Sequence, residues 1–133
     1  MFIRKRILIV DGVEMNRQFL RHILTNAGYT LAVACNSKEA LKLLEDDDFD
    51  IFFVDIHMPD LDGIKFIKAL HAIEGYESAP ILAVTTTNSE KLRQKGETIG
   101  ITDWVRKPIS PPHLLQLLKN LGLVNKYHAQ SLV

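Results

Sequence analysis

A parallel α/β sheet with helices on both faces is the fold class that this sequence predicts. Short apolar runs alternate five times with helix-length amphipathic segments along the 133 residues. The runs are apolar at successive positions rather than at every second one, which is typical of strands buried on both faces. No internal repeat or Pro/Gly/Ser-rich linker divides the chain, so we expect one domain.

Five strands and the first two helices follow from the residues in order. The strands are expected at 7–10, 30–34, 51–54, 81–84 and 103–106. Met15, Phe19 and Ile23, at a spacing of four, predict the apolar face of the first helix. Asn36 predicts the start of the second, because its side chain can cap a helix and Glu39 can complete a capping box.

The other three helices differ in how strongly the sequence supports them. Ile64, Ile67 and Leu70 give helix 3 an apolar face. The segment 89–99 is mostly polar and contains a glycine, which predicts a weakly anchored helix. Ser110, followed by proline, predicts the start of the last helix.

Composition excludes several classes of partner. Lysine plus arginine equals aspartate plus glutamate at 16 each, which argues against nucleic acid or an anionic membrane as the main partner. No apolar run approaches the roughly 20 residues that span a bilayer, and the run after "MFIRKR" is too short for a signal peptide. A single cysteine, Cys35, allows no internal disulfide. A cytoplasmic location is therefore expected.

Polar residues follow four of the five apolar runs. Asp11, Asp55, Thr85 and Lys107 stand directly after strands 1, 3, 4 and 5. Open parallel sheets bind ligands beyond the carboxyl ends of their strands, so we expect these side chains to converge. Helix capping is the alternative role for Asp11, and Lys107 is alternatively a solvated lysine. Their shared edge favours a site.

Two carboxylates, an ammonium and a hydroxyl favour phosphoryl chemistry. Neighbouring carboxylates repel unless a cation lies between them, and oxygen ligands with room for water select Mg²⁺. An ammonium and a hydroxyl suit a group with several anionic oxygens. One carboxylate can itself be the nucleophile and form an aspartyl phosphate.

Four segments resemble, in order, the signature segments of response-regulator receiver domains. They are "ILIVDG", "FFVDIHMPDLDG", "PILAVTT" and "WVRKPIS". The threonine pair, a Gly-x-x-x-Gly stretch and the tryptophan before Lys-Pro are similar to the chemotaxis, CheY-like branch. The resemblance implies a doubly wound (βα)5 flavodoxin-like fold, with a receiver domain over residues 1–124 and a C-terminal tail over 125–133.

This resemblance implies a role for each polar residue at the edge. Asp55 would accept a phosphoryl group from a histidine kinase. Asp11 would hold Mg²⁺, together with Asp55 and the backbone carbonyl of His57. Lys107 would pair with Asp55 at rest and with the phosphoryl oxygens afterwards. The chain would be a signalling module rather than an enzyme, apart from catalysing its own phosphoryl transfer and aspartyl-phosphate hydrolysis.

The resemblance also implies a conformational switch. Thr85 would turn to the phosphoryl group, and Trp104, in place of the usual tyrosine or phenylalanine, would change rotamer with it. Plain packing is the alternative role of the tryptophan. The changed surface would be helix 4, strand 5 and helix 5. Side chains at His57 and Thr87 would tune the rate of hydrolysis.

Gly12 departs from the family pattern. Family members usually have Asp or Glu there, as a direct metal ligand, so weaker Mg²⁺ binding is expected. Glu14 is a candidate to supply an oxygen instead, although its place near the positive end of helix 1 also favours a helix-stabilising role. Two functions stay open: a phosphorylatable receiver, or a degenerate receiver that binds proteins without phosphorylation.

Two enzyme and cofactor classes fit less well. A phosphatase of the haloacid dehalogenase class needs a second aspartate two residues after the first, where this chain has His57. A flavin-binding protein needs a phosphate-cradling loop after strand 1, and "DGVEMN" is acidic. We therefore expect a histidine kinase or phosphotransfer domain and a downstream protein as partners, with the chain a monomer or weak dimer.

Overall fold

Five parallel strands form one sheet with helices packed on both faces. The computed structural model describes residues 5–87 and 89–120. The strands are β1 (Arg6–Val10), β2 (Thr30–Ala34), β3 (Ile51–Asp55), β4 (Ile81–Thr85) and β5 (Asp103–Arg106). The helices are α1 (Glu14–Asn26), α2 (Ser37–Asp46), α3 (Asp62–His71), α4 (Glu90–Ile99) and α5 (Pro111–Asn120), and a 3₁₀ turn (Pro59–Leu61) precedes α3. The predicted (βα)5 architecture is confirmed.

The strand order brings the predicted site residues to one edge. The order is β2-β1-β3-β4-β5, so the winding reverses between β1 and β3. Val10 pairs with Val54, and Thr85 pairs with Arg106. The residue after β1 and the last residues of β3 and β4 therefore lie beside one another, where such sheets bind ligands.

Alternate residues of the central strands fill two separate apolar cores. One core, covered by α2 and α3, contains Leu8, Val10, Phe52 and Val54. The other, covered by α1 and α5, contains Ile7, Ile9, Ile51 and Phe53. A one-residue slip would exchange the two sets, so packing on both faces fixes the register and with it the strand ends.

The predicted apolar face of α1 is wrong for Met15 and Phe19 and right for Ile23. Met15 is 78% exposed and Phe19 is 44% exposed, while Leu20, Ile23 and Leu24 are buried. A row at a spacing of four drifts by roughly 40° at each step around a helix with 3.6 residues per turn. The buried set, at spacings of three and four, forms the tighter stripe and decides how the helix faces the sheet.

The start of α2 confirms one half of the predicted capping box. Asn36 caps the helix by accepting a hydrogen bond from Glu39 N at 2.8 Å. The Glu39 carboxylate does not return to Asn36; Oε1 accepts from Cys35 N at 3.2 Å. The Cys35 thiol also donates to Glu39 Oε2, and this hydrogen bond raises the pKa of the thiol.

Two predictions for the C-terminal end of the chain lie outside the described residues. These are the tail over 125–133 and the C-terminal boundary of the domain at 124. Within the described residues, no helix is long and apolar enough to cross a bilayer.

The start of α3 lies directly against the end of β3. A Cβ built on Gly63 would overlap the backbone oxygen of Asp55 and lie 3.1 Å from its carbonyl carbon. Beside it, Asp62 accepts a hydrogen bond from Ser37 N at 2.7 Å, which ties α3 to the start of α2. Gly63 thus permits the close approach that fixes the backbone of Asp55.

Gly63→Ala should lower the free energy of unfolding by about 1–3 kcal/mol, because the added methyl group must push α3 away from β3. Urea unfolding followed by circular dichroism measures the loss. Gly12→Ala is the matched control: its Cβ would have ordinary contacts, 3.8 Å from Cys35 O and Met58 Cγ. A Gly63→Ala protein as stable as the wild type would contradict the close packing.

Candidate functional site

Two buried carboxylates share one ammonium group at the carboxyl edge of the sheet. Asp11 is 2% exposed and Asp55 is 5% exposed. Lys107 Nζ lies 3.6 Å from Oδ2 of Asp11 and 3.7 Å from Oδ2 of Asp55. The distances are those of ion pairs rather than hydrogen bonds. One positive charge between two negative ones leaves the site with net negative charge.

The loop after β1 holds one oxygen of Asp11 and leaves the other open. Oδ1 accepts hydrogen bonds from Val13 N at 2.8 Å and Asn16 Nδ2 at 3.4 Å. Arg17 donates to the backbone oxygen of Asp11 at 2.7 Å. Among the described residues, the buried Oδ2 has no hydrogen-bond partner. Such an oxygen is suited to a metal ion or a water molecule.

The Thr85 hydroxyl contacts two neighbours. Thr85 ends β4 and is 4% exposed. Its Oγ1 lies 2.6 Å from Nε2 of His57, 3.1 Å from Thr87 N and 3.3 Å from Thr87 O. His57 also donates its backbone N–H to Oδ1 of Asp55 at 2.9 Å. Thr87 thus reaches the site through its backbone, and His57 reaches it through both backbone and imidazole.

Trp104 packs its indole across α4. A Cβ on Gly96 would overlap Cζ2 of the indole and lie 3.2 Å from Cη2. The ring therefore packs into the space that a side chain at Gly96 would occupy. A cavity of about 50 Å³ is lined by both Thr85 and Trp104, so the two predicted switch residues border the same space.

The structure brings two carboxylates together for a cation, without a third. In residues 5–87 and 89–120, no three His, Cys, Asp or Glu side chains lie close enough to share a metal ion. Glu14 is exposed, and its Oε1 accepts a hydrogen bond from Gln18 Nε2 at 3.3 Å along its own helix. The predicted replacement ligand is therefore not placed with Asp11 and Asp55.

Sequence reasoning missed two contacts of this site. The resemblance assigned His57 a carbonyl and a role in hydrolysis, but not an imidazole contact with Thr85. The resemblance included the Gly-x-x-x-Gly stretch that begins at Gly96, but it did not indicate that the indole of Trp104 packs against this glycine. A large aromatic residue on a strand, with glycine in the preceding polar helix, is the signal that could have indicated the second contact.

The family follows from a match over most of the chain. The model of the response regulator receiver domain matches residues 7–119. The chain therefore belongs to the family of response regulator receiver domains, which are signalling modules of two-component systems.

Two curated relatives and one solved structure illustrate the similarity. The uncharacterized 14.6 kDa protein in the sodA1 3' region of Leptolyngbya boryana is 34% identical over 117 residues, covering 88% of this chain and 89% of the relative. The sensor histidine kinase CheAY of Helicobacter pylori is 31% identical over 115 residues, covering 85% of this chain and 14% of the kinase. Chemotaxis protein CheY4 of Vibrio cholerae has a TM-score of 0.85 and 35% identity, covering 89% of this chain and 98% of that one.

These matches confirm the resemblance predicted from the sequence, including its CheY-like character. They also confirm the phosphoryl-accepting, two-component role at the level of the family. None of these matches supports the degenerate alternative.

Replacing Gly96 with alanine should destabilise the protein by about 1–3 kcal/mol, because the new methyl group displaces the Trp104 indole. In a Trp104→Phe background the loss should be smaller by about 0.5–3 kcal/mol, because the overlap with the indole is gone and only Ile101 Cδ1, 3.0 Å from a Cβ at Gly96, must still shift. Urea unfolding of the four proteins in this double-mutant cycle measures both values. Equal effects of alanine in both backgrounds would show that the indole does not pack against Gly96.

Proposed function

We propose that Asp55 is the phosphoryl acceptor of this receiver, and that a histidine kinase or a phosphotransfer domain is the donor. The observation that carries the proposal is the pair of buried carboxylates around the Lys107 ammonium. Phosphorylation adds negative charge to Asp55, and the ammonium is close enough to balance part of it.

Asp55 supplies the oxygen nucleophile of the transfer. A carboxylate oxygen forms the O–P bond while the N–P bond of the donor phosphohistidine breaks, and the leaving imidazole takes the electron pair. The His57 N–H holds Oδ1, and Lys107 faces Oδ2, so the carboxylate is oriented before the donor arrives. Preorganised charge of this kind lowers the barrier without rearrangement during the reaction.

Mg²⁺ is the cofactor that the donors at this edge suit. Asp11, Asp55 and the backbone carbonyl of His57 would hold it, and water molecules would complete its shell. When bound, the ion supplies positive charge next to the phosphoryl oxygens. The buried Oδ2 of Asp11, without a hydrogen-bond partner among the described residues, supports this assignment.

Gly12 makes this metal site weaker than one with three carboxylates. Gly12 is exposed, and a Cβ there has ordinary contacts at 3.8 Å with Cys35 O and Met58 Cγ. Gly12 is also not one of the described glycines that have a positive φ. Neither space nor backbone conformation requires glycine, so the missing carboxylate can be restored by substitution.

Gly12→Asp should tighten Mg²⁺ binding by at least about tenfold, because it adds a carboxylate to a site that already holds two. Isothermal titration calorimetry of the unphosphorylated protein measures the change. Gly12→Asn is the control, since it has the same size without the charge. Equal Mg²⁺ affinities of the two variants would argue against a metal site next to position 12.

We assign to α4, β5 and α5 the surface that changes on phosphorylation and binds the partner protein. Thr85 and Trp104 border one cavity next to α4, which supports a path from the site to this surface. We assign the tuning of aspartyl-phosphate hydrolysis to the side chains of His57 and Thr87. The contact of the His57 imidazole with the Thr85 hydroxyl supports the assignment for His57, while Thr87 contacts that hydroxyl through its backbone. The partner is a protein, and we assign the chain to the cytoplasm as a monomer or weak dimer.

The acceptor is tested by the mass of the intact protein after incubation with a small-molecule phosphoryl donor. The wild type should gain one phosphoryl group in Mg²⁺ and none in chelator, and Asp55→Asn should gain none. Asp60→Asn, a change of an exposed acid in the same loop, should leave uptake unchanged. Undiminished uptake by Asp55→Asn would place the acceptor elsewhere.

A further inference from the structure

Phosphoryl transfer from phosphohistidine to Asp55 does not require the imidazole of His57. The residue is exposed, yet Nε2 lies 2.6 Å from the buried hydroxyl of Thr85. The same residue donates its backbone N–H to Oδ1 of Asp55. One residue thus contacts both the acceptor carboxylate and the hydroxyl that is to bind the phosphoryl group.

The proton of the Thr85 hydroxyl is already in use in this arrangement. A threonine hydroxyl has one proton to donate and two lone pairs. Thr87 N–H donates to it at 3.1 Å. If Nε2 of His57 is unprotonated, the hydroxyl proton goes to that nitrogen. If Nε2 carries a proton, the imidazole donates and the hydroxyl proton turns to Thr87 O at 3.3 Å.

In either tautomer the hydroxyl has no proton left for a phosphoryl oxygen. At least one existing hydrogen bond must therefore break before Thr85 can bind a phosphoryl group on Asp55. The bond to His57 is the shorter one, and it comes from a side chain that can rotate away because it is exposed.

We propose that His57 is a positioning residue, which holds Thr85 in its resting place and opposes the turn of its hydroxyl towards a phosphoryl group. This proposal rests on Asp55 being the acceptor. Phosphorylation changes the Asp55 carboxylate, to which His57 donates its backbone N–H. The same residue, His57, carries the imidazole that restrains Thr85. The restraint opposes switching in the unphosphorylated protein.

The test measures the Thr85 rotamer in the unphosphorylated protein by NMR. Three-bond couplings from the Thr85 methyl carbon to the backbone nitrogen and carbonyl carbon report the side-chain rotamer. His57→Phe keeps a ring of similar size without a nitrogen. His57→Gln keeps an amide that can hydrogen-bond the hydroxyl.

The wild type and His57→Gln should show the couplings of one dominant rotamer. In His57→Phe the other rotamers should gain population by about 2- to 10-fold, which corresponds to the loss of one ordinary hydrogen bond. Unchanged couplings in His57→Phe would overturn the proposal. Equal averaging in both variants would overturn it too, because the capacity to hydrogen-bond would then not matter.

The turn of the Thr85 hydroxyl is tested on the phosphorylated wild type, with uptake verified by mass. Its Thr85 couplings should differ from those at rest, and identical couplings would overturn the proposal, since no turn would then occur. A wild type that takes up no phosphoryl group would refute Asp55 as acceptor. The comparison of the unphosphorylated His57 variants would still decide whether the imidazole holds Thr85.

Discussion

The site depends on the ammonium of Lys107 between two carboxylates that the fold takes out of water. Asp11 and Asp55 are nearly inaccessible, and the ammonium lies 3.6 and 3.7 Å from their Oδ2 atoms. A buried charge without a partner costs several kcal/mol, so neither carboxylate is tolerable there alone. The lysine reduces that cost, and the strand ends keep all three residues in place.

One ammonium does not balance two carboxylates, and this imbalance gives the site its chemistry. The remaining negative charge attracts a cation, while Oδ2 of Asp11 lacks a hydrogen-bond partner among the described residues. A divalent ion held by these carboxylates would reverse the local charge, which would then favour an anionic phosphoryl group. Glycine at position 12 would lower the attraction for such an ion but not abolish it, because the two buried carboxylates are still present.

The sequence predicts the parts of this molecule that depend on local pattern. Consecutive apolar residues specify strands buried on both faces, and their ends place Asp55 and Lys107 at one edge. Contacts between distant elements are different. The rotation of α1 against the sheet left Met15 exposed, although its spacing suggested burial. Two contacts depend on how loops and helices pack against the sheet. One is the contact of His57 with Thr85 at the end of β4, and the other is the contact of Gly96 with the Trp104 indole.

The contact between Gly96 and the Trp104 indole would couple any movement of the indole to α4. Within α4, whose ten residues are all described, Gly96 is the one that is buried. It is buried beneath the indole, so the contact that holds the ring is also the deepest contact of the helix. An element with so little buried apolar surface opens at low free-energy cost. Leu92 and Ile99, both half-buried, are the other apolar contacts of α4 with the core that α2 and α3 cover. If the indole were to leave Gly96 for the cavity beside Thr85, α4 would lose its most buried contact, and a change of one rotamer would become a change of a surface.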